Sequence, residues 1–265
     1  MIAMLPGGLE LAYDDVGSGI PLLFVHGWPH NRTLWAAQLS GLPTQARCLA
    51  PDLRGFGDSC VAPPYSIDQY ADDLAAFLAM LGVTRAVVCG LSMGGYVALA
   101  MVRRHRTLVR GLILTSTRAT ADTPEARDKR MRLIEFVKQH GVEALAGRQL
   151  KAMVGETTFN SRPDVLEALR QLMADAPSAG VIGGLEAMAA RPDATDLLGD
   201  IDVPTLVVSG SEDTFTPPDE LRALAAAIPR SRLEVLRGGG HVCSYERPAA
   251  FNHVVTEFLA PLLYD

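Results

Sequence analysis

Ala86-Val87-Val88-Cys89, followed by Gly90-Leu91-Ser92-Met93-Gly94-Gly95, is the stretch that decides the fold. Four apolar residues closed by a glycine read as a strand covered on both faces. From Met93 to His105 the chain is rich in Ala, Leu, Met and Val, which reads as a helix. Between them stands G-x-S-x-G. A serine caught between a buried strand and the start of a helix sits on a very tight turn, so its neighbours must be small and its hydroxyl stands exposed at the sheet edge. The partial positive charge of the helix N-terminus favours an alkoxide or oxyanion there. Ser92 is the candidate nucleophile.

Working outward, the same alternation recurs. Short apolar runs at 21–25, 47–50, 112–115, 204–208 and 233–236 read as strands, most of them ended by Gly or Pro. Helical periodicity fills 67–81, with Ser66 as N-cap, and 218–228, where Pro218 and Asp219-Glu220 suit a helix start. It returns in 248–263. Strand–helix alternation predicts an α/β architecture, a mostly parallel sheet joined by right-handed crossovers.

Residues 118–200 break this rhythm. They carry helical spacing and no convincing strand, so an all-helical insertion is expected to lie as a cap over one end of the sheet. Ligands in open α/β sheets bind beyond the strand carboxyl ends. The expected division is a core of 1–117 and 201–265 with a cap of 118–200. The cap holds four of the nine methionines and two aromatics, Phe136 and Phe159, which become the candidate substrate-pocket residues.

A serine nucleophile needs a base, an acid to orient it, and donors for the oxyanion. Of six histidines, His241 follows Gly238-Gly239-Gly240 after the last strand and is placed to reach the sheet edge. Asp213 lies on the loop after the strand at 204–208. Ser92, Asp213 and His241 then occur in the chain order this kind of site uses. Glu212 competes with Asp213, because spacing alone does not separate them. The backbone N–H of Met93 is one oxyanion donor. The N–H of Trp28, in His26-Gly27-Trp28-Pro29 after the first buried strand, is the second candidate. Trp35 reads as core. Arg54 and Asp58 are expected to pair with each other and hold their loop.

Composition removes other classes. Lys and Arg number 24 against 30 Asp and Glu, and no basic block stands out, so nucleic acid is not an expected partner. No apolar run approaches the ~20 residues of a membrane helix. Residues 1–10 have no Lys or Arg ahead of an apolar run, so no signal peptide is expected and the cytoplasm is the expected location. Cys48, Cys60, Cys89 and Cys243 are scattered and read as reduced thiols. His26 and His30 are four apart, but Gly27 and Pro29 argue against a shared helical face, so no metal site is expected.

Over essentially its whole length the chain resembles the α/β-hydrolase superfamily. The carrying motifs are His26-Gly27-Trp28-Pro29, the run Pro51-Asp52-Leu53-Arg54-Gly55-Phe56-Gly57-Asp58-Ser59, the Ser92 motif, Gly210-Ser211-Glu212-Asp213 and Gly240-His241. The resemblance implies an eight-stranded, mostly parallel sheet, a helical lid and no cofactor. Within it the chain looks like bacterial carboxylesterases and the related 3-oxoadipate enol-lactonases and cofactor-free perhydrolases. Dehalogenases and epoxide hydrolases of similar pattern place Asp at the turn, whereas Ser92 suits acyl carbon. Carbon–carbon hydrolases of the fold commonly carry Trp just after the catalytic His, where Val242 stands here. The expected activity is hydrolysis of small carboxylic esters with short to medium acyl chains. Lactones come second, and a ligand receptor with slow hydrolysis is the alternative of a different class. An enol-lactonase would need a cap arginine for its substrate carboxylate, and Arg118, Arg127, Arg130, Arg132 and Arg191 are within range by sequence.

Overall fold

The computed structural model describes residues 1–42 and 44–264. Eight strands form one sheet: β1 (Ile2–Met4), β2 (Glu10–Gly17), β3 (Ile20–Val25), β4 (Ala46–Pro51), β5 (Ala86–Leu91), β6 (Val109–Thr115), β7 (Thr205–Gly210) and β8 (Ser231–Leu236). Their spatial order is β1-β2-β4-β3-β5-β6-β7-β8. The β1–β2 and β2–β4 pairs are antiparallel and the rest parallel. Strands β5 and β7 are buried at every position, as strands between two helical layers must be; apolar residues dominate both, with Thr205 and Ser209 the polar exceptions in β7.

The helices are α1 (Ala36–Gly41), α2 (Ile67–Met80), α3 (Met93–His105), α4 (Pro124–Met153), α5 (Glu156–Ser161), α6 (Pro163–Ala174), α7 (Ser178–Ala190), α8 (Pro218–Ala226), α9 (Cys243–Glu246) and α10 (Pro248–Leu259). Helix α2 shows why they form. Ser66 caps it by accepting the Gln69 N–H at 3.0 Å, and Ile67, Tyr70, Ala71, Leu74, Phe77 and Leu78 make one buried stripe at helical spacing. The β3-to-β4 connection runs the opposite way along the sheet from the connections through α2, α3 and α8. Right-handed crossovers therefore put α1 on the other face, where α10 packs with it.

Between β6 and β7 the chain forms no strand; it is built of α4, α5, α6 and α7. Helix α4 is kinked at Gly141, whose φ is +79°. Helix α7 presses a glycine-bearing face on the core: Trp28 Nε1 donates to the Val181 carbonyl at 2.8 Å, and an added Cβ at Gly180 would stand 1.7 Å from the Gly55 carbonyl oxygen.

The structure corrects one expected pairing. Arg54 does not bind Asp58; it grips Asp73 of α2 at 2.5 and 2.6 Å, both side chains nearly dry. Asp58 pairs with Arg32 at 2.8 Å, which also binds Asp52. A guanidinium buried in the loop needs a buried carboxylate, and Asp58 is largely exposed.

Gly180→Ala is expected to destabilise the protein by about 1–3 kcal/mol through overpacking against the Gly55 backbone. Gly147→Ala, in open space on α4, is expected to stabilise it by roughly 0.5–1 kcal/mol. Thermal unfolding of both variants checks this; equal shifts would mean that α7 is not pressed on the core.

Candidate functional site

Ser92 stands between β5 and α3 with φ +53° and ψ −112°, a backbone region that non-glycine residues rarely occupy. The turn is held from three sides. The Ser92 N–H donates to the Thr115 carbonyl at 2.9 Å, while the Ser92 carbonyl accepts from Gly95 N–H at 2.9 Å and from the Thr117 hydroxyl at 2.8 Å. Gly94 is required by closeness: a Cβ there would lie 2.1 Å from the Val25 carbonyl oxygen. That closeness brings the end of β3, and the loop 26–28 after it, against the first turn of α3.

The structure brings Ser92, His241 and Asp213 together from three loops. His241 Nε2 lies 2.9 Å from Ser92 Oγ, and His241 Nδ1 lies 3.0 and 3.2 Å from the two Asp213 carboxylate oxygens. Nδ1–H facing a carboxylate leaves the lone pair on Nε2, aimed at the Ser92 hydroxyl. Asp213 also accepts from the N–H groups of Phe215 and Thr216 at 2.8 and 3.0 Å and from the Thr216 hydroxyl at 2.6 Å. Burial opposes its charge, but the field of His241 and the hydrogen bonds from His241 and Thr216 outweigh it and hold the carboxyl at about 2. Phe215 packs edge-on against the His241 ring, centroids 5.1 Å apart.

Glu212 has another partner. Its carboxylate accepts from the Thr157 hydroxyl and N–H at 2.5 and 2.8 Å, at the start of α5. Glu246 does the matching job from the other loop. Buried on α9, it accepts from Gly240 N–H at 2.7 Å and from Gly155 N–H at 2.9 Å. Burial raises its carboxyl, and those bonds offset part of the rise. Two carboxylates thus tie the start of α5 to the loops that carry Asp213 and His241.

The N–H groups of Trp28 and Met93 donate to no backbone acceptor among the described residues. His26 is occupied elsewhere: its Nε2 accepts the Leu53 N–H at 3.0 Å, stitching the ends of β3 and β4 together. His30 is buried; burial, then the fields of His26 and His241, push it down to about 3. Among the described residues no group of His, Cys, Asp and Glu is arranged to hold a metal. Nor, among the described residues, is any helix long and apolar enough to cross a membrane.

A cavity of about 1120 Å3 opens over Ser92 and His241. Trp28, Tyr96 and Phe215 line its floor; Met131, Leu133, Phe136, Met153 and Met188 line the side formed by the helical insertion. Phe136 is on the lining. Phe159 is not: it sits on α5 under the Lys151 ammonium, 5.3 Å from the ring centroid, and is partly exposed. Of the five arginines considered by sequence, Arg118, Arg130 and Arg132 line the cavity. Arg191 is instead buried on Asp122 at 2.6 Å and stacked over Tyr96. Sequence reasoning missed Thr216 and Glu246. The Asp-x-x-Thr spacing of an Asx-type turn was a signal for Thr216; Glu246 carries none, because its role depends on the folded insertion.

A family model described as the alpha/beta hydrolase fold matches residues 20–248. The chain belongs to the α/β-hydrolase family. The AB hydrolase superfamily protein YisY of Bacillus subtilis is 32% identical over 262 residues, 94% of this chain and 95% of that protein. The 3-oxoadipate enol-lactonase 2 of Acinetobacter baylyi is 28% identical over 235 residues, 88% of this chain and 86% of that protein. A thermophilic esterase from Thermogutta terrifontis, solved with malate bound, superposes with a TM-score of 0.95 at 41% identity, covering 98% of each chain. The present chain is accordingly a hydrolase of this fold.

Asp213→Asn and Glu212→Gln form a matched pair. Hydrolytic kcat is expected to fall about 10⁴-fold for Asp213→Asn, which loses the tautomer lock on His241, and far less for Glu212→Gln. Steady-state rates decide, and a larger loss at Glu212 would give the acid role to that residue.

Proposed function

We propose that this α/β hydrolase cleaves small carboxylic esters through an acyl-enzyme on Ser92. The observation that carries the reading is the unbroken line from Asp213 through His241 to Ser92 Oγ, with both links near 3 Å. His241 takes the hydroxyl proton as Ser92 Oγ bonds to the acyl carbon. The Trp28 and Met93 N–H groups hold the oxyanion. The C–O bond then breaks, and the alcohol leaves with the proton from His241. Water, deprotonated by His241, attacks the acyl-enzyme by the same steps and restores Ser92. Asp213 stays ionised and stabilises the imidazolium throughout.

The apolar wall around Phe136 and the methionines suits short to medium acyl chains, since thioethers adapt to irregular shapes. Residues 118–200 act in this reading as the cap that closes the acyl site. The Thermogutta esterase supports the ester class. A lactone presents the same acyl carbon, and the enol-lactonase relative keeps lactones within the panel of substrates worth measuring. A receptor with slow hydrolysis would show one slow turnover instead of many.

The test is turnover of a p-nitrophenyl ester series and of lactones by the wild type and by Ser92→Ala. Many turnovers are expected from the wild type, with a loss of about 10⁴-fold or more in the variant. Retention of a tenth of the activity would refute the nucleophile. The base must be neutral to accept a proton, so kcat/KM is expected to rise from acid to neutral pH and then level off. Asp213, held near 2, stays ionised across that range and adds no second step. A flat profile would contradict a histidine base.

A further inference from the structure

The chain carries a net charge of −6, yet the cavity over Ser92 is cationic. Arg118, Lys129, Arg130, Arg132 and Arg148 line it, against the carboxylates of Asp122 and Glu135. Five cations against two carboxylates give this wall a net positive field that concentrates counter-ions of the other sign, although Lys129, Arg132 and Arg148 are themselves exposed to solvent.

Three of these cations are already engaged. Arg130 binds Asp122 at 2.5 Å, Arg132 binds Asp128, and Arg118 lies 3.1 Å from Glu220 and donates to the Phe215 carbonyl. Lys129 and Arg148 differ. Neither has a carboxylate within ion-pair distance, or a side-chain hydrogen bond, among the described residues. Arg148 nevertheless has a fixed place: its guanidinium lies over the Phe136 ring, 4.8 Å from the centroid. A cation held over a ring makes no hydrogen bond to it, so the Arg148 N–H donors stay free for a ligand. A planar donor fork, held by an aromatic ring on the wall of a reactive cavity, matches a carboxylate.

From this we infer that Arg148, assisted by Lys129, is a specificity residue, and that the preferred substrates are esters carrying a second, free carboxylate on the acyl chain away from the scissile bond. The inference rests on the ester reading above and narrows it. Phe136 gives the methylene chain an apolar wall, and the guanidinium lying over that same ring receives the distal charge. The anionic end is drawn to the basic wall while the ester end lies at Ser92.

The experiment compares monomethyl with dimethyl esters of succinic through suberic acid, followed by pH-stat at neutral pH. Each pair has the same chain and differs in charge. At low salt, kcat/KM is expected to favour the monomethyl ester for at least one chain length, whose optimum reports the reach from Ser92 to Arg148. Added salt should shrink the preference. Arg148→Gln should lower the monomethyl-to-dimethyl ratio by about tenfold, a change equivalent to ~1.4 kcal/mol; Arg148→Lys, which keeps the charge, should restore part of it. Lys129→Gln should lower it less. If dimethyl esters are cleaved with Ser92 dependence but no monomethyl ester is preferred, or if Arg148→Gln slows both members of each pair equally, the anionic subsite is refuted and the ester reading stands. If neither member of any pair is cleaved, the ester reading falls and takes the subsite with it.

Discussion

The left-handed turn at Ser92 is the constraint on which the rest depends. A φ of +53° at a serine is unfavourable on its own. It persists because parallel strands β5 and β6 supply the Thr115 carbonyl to the Ser92 N–H, and because Thr117 and Gly95 hold the Ser92 carbonyl. The same turn fixes the start of α3, and with it the unshared N–H of Met93. It also demands that the end of β3 come close, which carries Trp28 to the site. The helix start and the hydroxyl's exposure follow from one strained residue that the order of the sheet holds in place.

The other two members of the line reach Ser92 on loops, between β7 and α8 and between β8 and α9, and loops need anchoring. Asp213 is anchored within its own turn by Phe215 and Thr216. His241 follows a triple-glycine run and is steadied by Asp213, by the Phe215 ring and by Glu246 holding Gly240. Because Glu212 and Glu246 both end on the start of α5, the helical insertion is tied to the two loops at one place. The half of α4 before the Gly141 kink has no such carboxylate tie to those loops, and it carries much of the cavity wall, including Phe136.

Much of this was legible in the sequence, for local reasons. The run at 86–89 is wholly apolar and that at 204–208 nearly so, because their strands are covered on both faces, and Gly90 to Gly94 names the turn between the first of them and the next helix. Ser66 announces the start of α2. Strands β1 and β2, at one end of the sheet, were not readable from residue patterns; they are an antiparallel, partly exposed pair and carry no continuous apolar run. Asp213 and Glu212 are adjacent and chemically alike, and only the loop's path turns one to His241 and the other to Thr157. Phe136 and Phe159 look equivalent in sequence; the fold of the insertion puts one on the cavity and the other under Lys151. Arg54 finds Asp73 across 19 positions, a pairing that no local pattern reports.

The central claim, that the strained Ser92 is the one nucleophile, is tested most directly by intact-mass spectrometry after exposure to a fluorophosphonate ester, with peptide mapping of the adduct. The account predicts a single phosphonyl group on the peptide containing Ser92, no adduct on Ser92→Ala, and labelling that slows sharply in Asp213→Asn. Stoichiometric labelling of the Ser92→Ala variant, or an adduct mapped to any other residue, would contradict it.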